Sequence, residues 1–281
     1  MSLARKHFQK HQAQSAAGQA AEFGSMRNLN AYEQQLLQLN TDKARLKQIQ
    51  STQNKVELKR QLIPTYVPYV QGILETRPGL QDEIISEMLV WAIDIHDFGL
   101  ALDLAEYVLE KGLKLPDRFD RTEACFITEE ITDAFLKILK TSVDVDITIL
   151  DRLESLVSNE ALPPSVRDMP DEVKARLYLA LGKAEIRLVT GESEVDVPHA
   201  INAKNYLEQA LELDDKCGGK TDLTKMEKLV QKISPLTTHN LAATLSETES
   251  TEQQEVLSVN LLMNKDGTPV VDDHGSLISV P

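Results

Sequence analysis

The chain has 281 residues, 42% of them hydrophobic but only 5% aromatic, which is enough apolar material for a sizeable core that must be mostly aliphatic, as in helical bundles. No apolar run approaches the about 20 residues that cross a bilayer, the start MSLARKHFQKHQAQ lacks the apolar centre of a signal peptide, and Cys125 and Cys217 follow no pairing or metal-ligand pattern. A membrane span, a disulfide framework and a zinc ribbon are excluded, and a cytoplasmic protein is expected. The net charge of -14 is unevenly spread: residues 1–60 carry ten Lys and Arg against four acids, 61–235 nineteen against thirty-three, and 236–281 one against seven. Affinity for phosphate depends on a local basic surface, so the N-terminal end is the place to look for a nucleic-acid contact.

Residues 1–26 are rich in Gln, Ala, Ser and Gly, carry Arg5, Lys6, His7, Lys10 and His11, and show no sustained apolar periodicity. They read as a mobile basic arm, either docking on DNA phosphates or simply solvated. Residues 27–63 read as a basic helical hairpin. Its first helix, from Leu29 to Gln50, puts Tyr32, Leu36, Leu39, Leu46 and Ile49 on one stripe, with Asn30 and Glu33 as a capping pair. Ser51, Thr52 and Asn54 break it, and a second helical segment runs to Pro64, which is expected to stop or kink it. Arg27, Lys43, Arg45, Lys47, Lys55, Lys59 and Arg60 are the candidate DNA-binding side chains, because a positive helix face neutralises several phosphates at once. The plain alternative is the solvated polar face of a bundle helix. No helix-turn-helix is legible, since the turn has no Gly and no set of base-reading side chains stands out.

Residues 64–160 read as a helical core. Pro64 and Pro68, with Tyr66 and Tyr69, suggest a rigid elbow into it. Ile84, Met88, Trp91 and Ile95 fall on one helix face, and after Gly99 the residues Ala101, Leu104, Ala105 and Val108 repeat the spacing as far as Gly112, a helix stop. Two helices joined by a short turn, with small residues at their contact, form a tetratricopeptide-like pair.

Here an ordered string carries a resemblance: KRxLIPxYxPYVxGIL from Lys59, GxQDEI from Gly79, MxVWxxDxxDxxxALxxAxYxLxxGLxxP from Met88 to Pro116, then Arg121-Thr122 and FxTEEI from Phe126, flanked by YEQxLxxL at Tyr32 and MPDEV at Met169. It resembles the small terminase subunit of temperate contractile-tailed phages, a family also labelled "terminase, endonuclease subunit". The resemblance implies a homo-oligomeric protein in the host cytoplasm that binds double-stranded viral DNA at the cohesive-end or packaging-start site. It further implies that a large terminase subunit, which carries the motor and nuclease, is directed by it to cut and package.

Beyond Pro116 a mixed-charge loop reaches Arg121, Thr128 is the expected cap of a helix with Ile131, Ala134, Phe135 and Ile138 inside, and Ile147, Leu150, Leu153 and Val157 supply another. The run Ala161-Leu162-Pro163-Pro164-Ser165 marks a boundary, after which residues 161–235 read as a tetratricopeptide-like helical subdomain. Its first helix starts at Pro170 with Asp171 and Glu172 and carries Val173, Leu177, Leu181, Ala184 and Leu188. A return helix from Pro198 to Leu213 places Ile201, Leu207, Ala210 and Leu211 inward, and a last helix runs from Leu223 to Ile233. Residues 236–281 form an acidic linker and apolar tail, expected to be disordered, with Val256–Met263, Val270-Val271 and Ile278–Val280 as short apolar runs. Such a tail suits docking to a partner, which in this family is the large subunit. Its acidity departs from the basic tails of that family.

The word "endonuclease" raises a carboxylate nuclease site, for which Asp94 and Asp97 are weak catalytic candidates, with Asp103 or with Glu129 and Glu130 nearby. Helix capping explains Asp94 and Asp97 equally well. No metal site is legible: His96 has no partner at ligand spacing and reads as a turn residue. Mg2+ or Mn2+ enters only with the nuclease alternative. The chain has no GxxxxGK[ST] loop, so no cofactor or ATP hydrolysis is expected of it. A third reading is a helical interaction scaffold without DNA.

Overall fold

The all-α architecture expected from the sequence is the one observed, with no strand among the described residues. The structure, a computed structural model, describes residues 2–23, 30–116, 121–141, 146–191 and 194–233. Arg27, the centre of the mixed-charge loop and the linker and tail at 236–281 lie outside the described residues.

The first helix, α1 (Leu3–Phe23), corrects the expectation of a mobile arm, because it packs along the third helix. Its contact face is made of alanines: Ala13, Ala16 and Ala17 are buried. Ala13 lies against Gly72, where a Cβ would come within 2.6 Å of the Lys10 carbonyl oxygen and 2.8 Å of the Ala13 Cβ. Lys10 then ties to Glu75 at 2.5 Å and the Gln14 amide donates to the same carboxylate at 2.7 Å.

Helices α2 (Asn30–Gln48) and α3 (Thr52–Thr76) form the hairpin. Ser51 caps α3, its hydroxyl accepting from the Asn54 N–H at 3.3 Å. Pro64 does not stop the helix: α3 continues through Pro64 and Pro68 to Thr76. Each proline removes the donor to a carbonyl four residues back. Tertiary burial of Ile63, Tyr66, Tyr69, Val70 and Ile73 along the same stripe outweighs that loss. The helix closes at Arg77 in the left-handed region (φ 47°), where its N–H bonds to the Ile73 carbonyl at 2.7 Å and its guanidinium lies over Tyr107 and against Glu110.

α4 (Glu83–Asp94) and α5 (Phe98–Lys111) are the antiparallel pair. Their turn lies at 95–97, and His96 rather than Gly99 adopts the positive φ (61°), its ring stacked on Phe98 at 5.6 Å. Gly99 is inside α5. Gly112 stops α5 as expected, at φ 62°, with Leu113 donating to the Val108 carbonyl at 2.9 Å. In α6 (Glu123–Thr141) the cap is Thr122, whose hydroxyl accepts from the Cys125 N–H at 3.1 Å; Thr128 is buried mid-helix instead.

α7 (Thr148–Val157), α8 (Pro164–Arg167), α9 (Asp171–Leu188), α10 (Val197–Leu213) and a last helix α11 (220–233) complete the order. α9 is a shared wall. Val173, Leu177, Leu181 and Ala184 enter the same core as Trp91 and Phe135, while Leu179 meets Ala203, Leu207, Ala210 and Met226 in a smaller cluster. One core therefore runs across both 63/64 and 160/161. On α10 the small Ala200 and Ala203 take the inward positions, and Ile201, expected inside, is 39% exposed.

Candidate nucleic-acid interface

The hairpin is pinned from within by a buried carboxylate that the sequence reading passed over. Asp42 on α2 is fully buried and accepts from the Tyr66 hydroxyl at 2.8 Å, the Gln38 amide at 2.9 Å and Arg45 at 2.8 Å. Three donors on one buried carboxylate offset the cost of taking it out of water. The Tyr66 ring meets Trp91 edge-on, with centroids 5.9 Å apart, which locks α3 onto α4. Burial, then the hydrogen bond to Asp42, pushes the Tyr66 hydroxyl well above its ordinary range, so it stays a donor.

A second buried carboxylate fixes the other end of the hairpin. Asp82 accepts from the Ile84 and Ile85 N–H groups at 2.8 and 3.2 Å, capping α4, and from the Tyr69 hydroxyl at 2.6 Å. Burial pushes its carboxyl up to about 6, against the pull of those hydrogen bonds.

The described cations proposed for DNA divide by position. Near the root, Lys43 bridges to Glu83 at 3.0 Å and Glu87 at 3.8 Å on α4. Lys59 lies 5.9 Å from the Trp91 ring centroid, ion-paired to Asp94, and is 16% exposed. Arg60 pairs with Glu57 at 3.0 Å and donates to the Ile95 carbonyl at 3.4 Å, yet remains about half exposed. At the tip, Lys47 is exposed and Lys55 half-buried, and neither has a carboxylate partner among the described residues. Arg45, whose guanidinium donates to Asp42, is also 53% exposed. Residues 43–56 contain no acid, and Gln48, Gln50, Ser51, Gln53 and Asn54 around the turn are exposed. That acid-free run was the available signal for the tip, and a count of cations alone did not use it.

The structure also brings α1 to the hairpin. Lys6 and Arg60 line one groove of about 410 Å3 whose floor includes Ile63, Pro64 and Val67, with Asp97 at its edge. One cation from each basic segment thus lines the same groove.

The weak catalytic candidates have structural duties. The Asp94 carboxylate holds Lys59, and Asp97 caps α5, accepting from the Leu100 N–H at 3.2 Å. Among the described residues no group of three or more His, Cys, Asp or Glu is arranged to hold a metal ion, and no helix is long and apolar enough to cross a membrane.

Comparison with known proteins agrees with the ordered string of residues. A family model described as "Phage small terminase subunit" matches residues 36–165. The "Terminase, endonuclease subunit" of Escherichia phage P2 is 32% identical over 222 residues, covering 78% of this chain and 83% of that protein. The "Probable terminase, endonuclease subunit" of Haemophilus phage HP1 (strain HP1c1) is 30% identical over 78 residues, or 27% of this chain and 28% of that protein. No solved structure matches significantly. Most of α2, the whole of α3 to α7 and half of α8 fall inside residues 36–165, and the chain belongs to the phage small terminase subunit family.

Proposed function

We propose that this chain is the DNA-recognising subunit of a viral DNA-packaging terminase, that it grips duplex DNA with the tip of the α2–α3 hairpin, and that it directs a large subunit to cut and package. The observation that carries this reading is the acid-free tip. Lys47 and Lys55 face no carboxylate among the described residues, whereas Arg45 beside them is paired with Asp42. Exposed Gln and Asn side chains around the same turn are of the type that bonds base edges in the major groove, while the cations supply phosphate contacts. α1 adds Lys6 from the side where it meets Arg60. Lys43 and Lys59 act differently in this reading: they hold the hairpin to α4.

A gel-shift series with the purified chain and viral end DNA tests it. Retardation that weakens steeply with salt is the expected result; no binding at low salt, or binding indifferent to salt, refutes it. The endonuclease reading has the relatives' label in its favour. It requires the chain alone to nick supercoiled DNA with Mg2+ or Mn2+ and Asp94→Asn to abolish the nicking.

A further inference from the structure

A groove of about 650 Å3 lies between α6, α9 and the segment joining α10 to α11. Its floor is apolar, with Leu136, Leu139, Leu179 and Ile186. Its rim is cationic: five Lys and Arg line it against two acids, Asp214 and Asp222. Some of that charge is spent, since Lys183 pairs with Asp222 at 2.5 Å, Arg176 with Asp133 at 2.6 Å, and Arg187 donates to the Leu139 carbonyl. Lys140 and Lys216 are exposed and have no carboxylate partner among the described residues. An apolar floor under unpaired cations fits a short peptide that is itself apolar and acidic, and fits a nucleic-acid backbone poorly.

We infer that the occupant is this chain's own segment around Val256–Met263. Charge complementarity favours it: residues 236–281 carry one Lys against seven acids, and Glu252, Glu255 and Asp266 flank VLSVNLLM. Reach favours it too. α11 begins at residue 220, beside the groove, and ends at 233, so the groove lies about 20 Å back along its axis at 1.5 Å per residue. The 22 residues from 234 to 255 reach at most about 70 Å at 3.3 Å per residue, so their length covers that distance. Leu257 and Leu261 supply the apolar match to the floor, and the flanking glutamates the charge match to Lys140 and Lys216.

Cys217 lines the groove and is half-buried, so its thiol reports on occupancy, while Cys125 is 3% exposed inside α6 and reports on the integrity of the fold. The test follows the labelling rate of Cys217 with a thiol reagent in the full chain and in Leu257→Asp/Leu261→Asp. The variant is expected to label about tenfold faster, as for a groove filled about nine-tenths of the time. Cys125 should stay unreactive in both. A synthetic peptide of residues 252–266 added to the variant should restore protection, and Lys140→Glu/Lys216→Glu should remove it from an intact tail. Equal rates in the full chain and the tail variant, or a peptide without effect, overturn the inference. Protection that disappears on dilution overturns docking within one chain and assigns the groove to the tail of a second copy.

Discussion

The root and the tip of the α2–α3 hairpin carry the same residue types and put them to different uses. At the root Lys43 and Lys59 are drawn onto the α4 carboxylates Glu83, Glu87 and Asp94, and Lys59 lies against Trp91. At the tip Lys47 and Lys55 meet no acid among the described residues. A cation whose field is cancelled by a neighbouring carboxylate contributes little to phosphate attraction, whatever its place in the sequence. The root is therefore a clamp, and only the tip is free to act at a distance.

Removing the centre of the root has the largest expected effect. Trp91→Ala should destabilise the fold by about 3–5 kcal/mol, because a fully buried ring that carries the Tyr66 and Lys59 contacts is lost; denaturant titration followed by circular dichroism measures it. Next comes pH. Burial leaves the Asp82 carboxyl at about 6 in the folded chain, above its unfolded value, so the folded state binds the proton more tightly. Stability from this group is present at pH 4 and is lost as pH rises through about 6, by about 2–3 kcal/mol in total. Denaturation of the full chain and of Asp82→Asn at pH 4.5 and 7.5 isolates it: the full chain gains stability at the lower pH relative to the variant.

The tip is sharpened by charge reversal. Lys47→Glu/Lys55→Glu should leave stability within about 0.5 kcal/mol. It should also lower the salt dependence of duplex binding by about 2 in log–log slope, one for each lost phosphate contact. Lys59→Gln should do the opposite, weakening the fold while leaving that slope unchanged. The smallest effect belongs to Glu57→Gln. It frees Arg60 from an exposed ion pair worth about 0–1 kcal/mol, so stability barely moves while duplex affinity rises slightly in the same titration.

Much of this was legible in the chain, for reasons that can be named. The α4–α5 pair declared itself through Ile84, Met88 and Trp91 on one face and through Gly112 at its end, because large apolar side chains and a left-handed cap leave strong local signals. α1 left none. Its buried face is alanine, which scores as nearly neutral, and its partner is a bare Gly72 far along the chain, so the contact is a matter of tertiary fit. Pro64 and Pro68 misled for the converse reason: their local cost is plain to read, while the burial of Tyr66 and Tyr69 that outweighs it depends on α2 and α4 being in place. The pairing of Lys43 and Lys59 was hidden likewise, since the carboxylates that claim them lie 35 or more positions away.

The unbroken course of α3 has a mechanical consequence. From Thr52 to Thr76 it forms a rod about 37 Å long with its far half embedded among α1, α2 and α4. A continuous helix passes to one end much of the tilt imposed at the other, so rotating the embedded half by a few degrees swings Lys55 by roughly an ångström or more over that length. Repacking around Trp91 would re-aim the charged turn with no change in the turn itself.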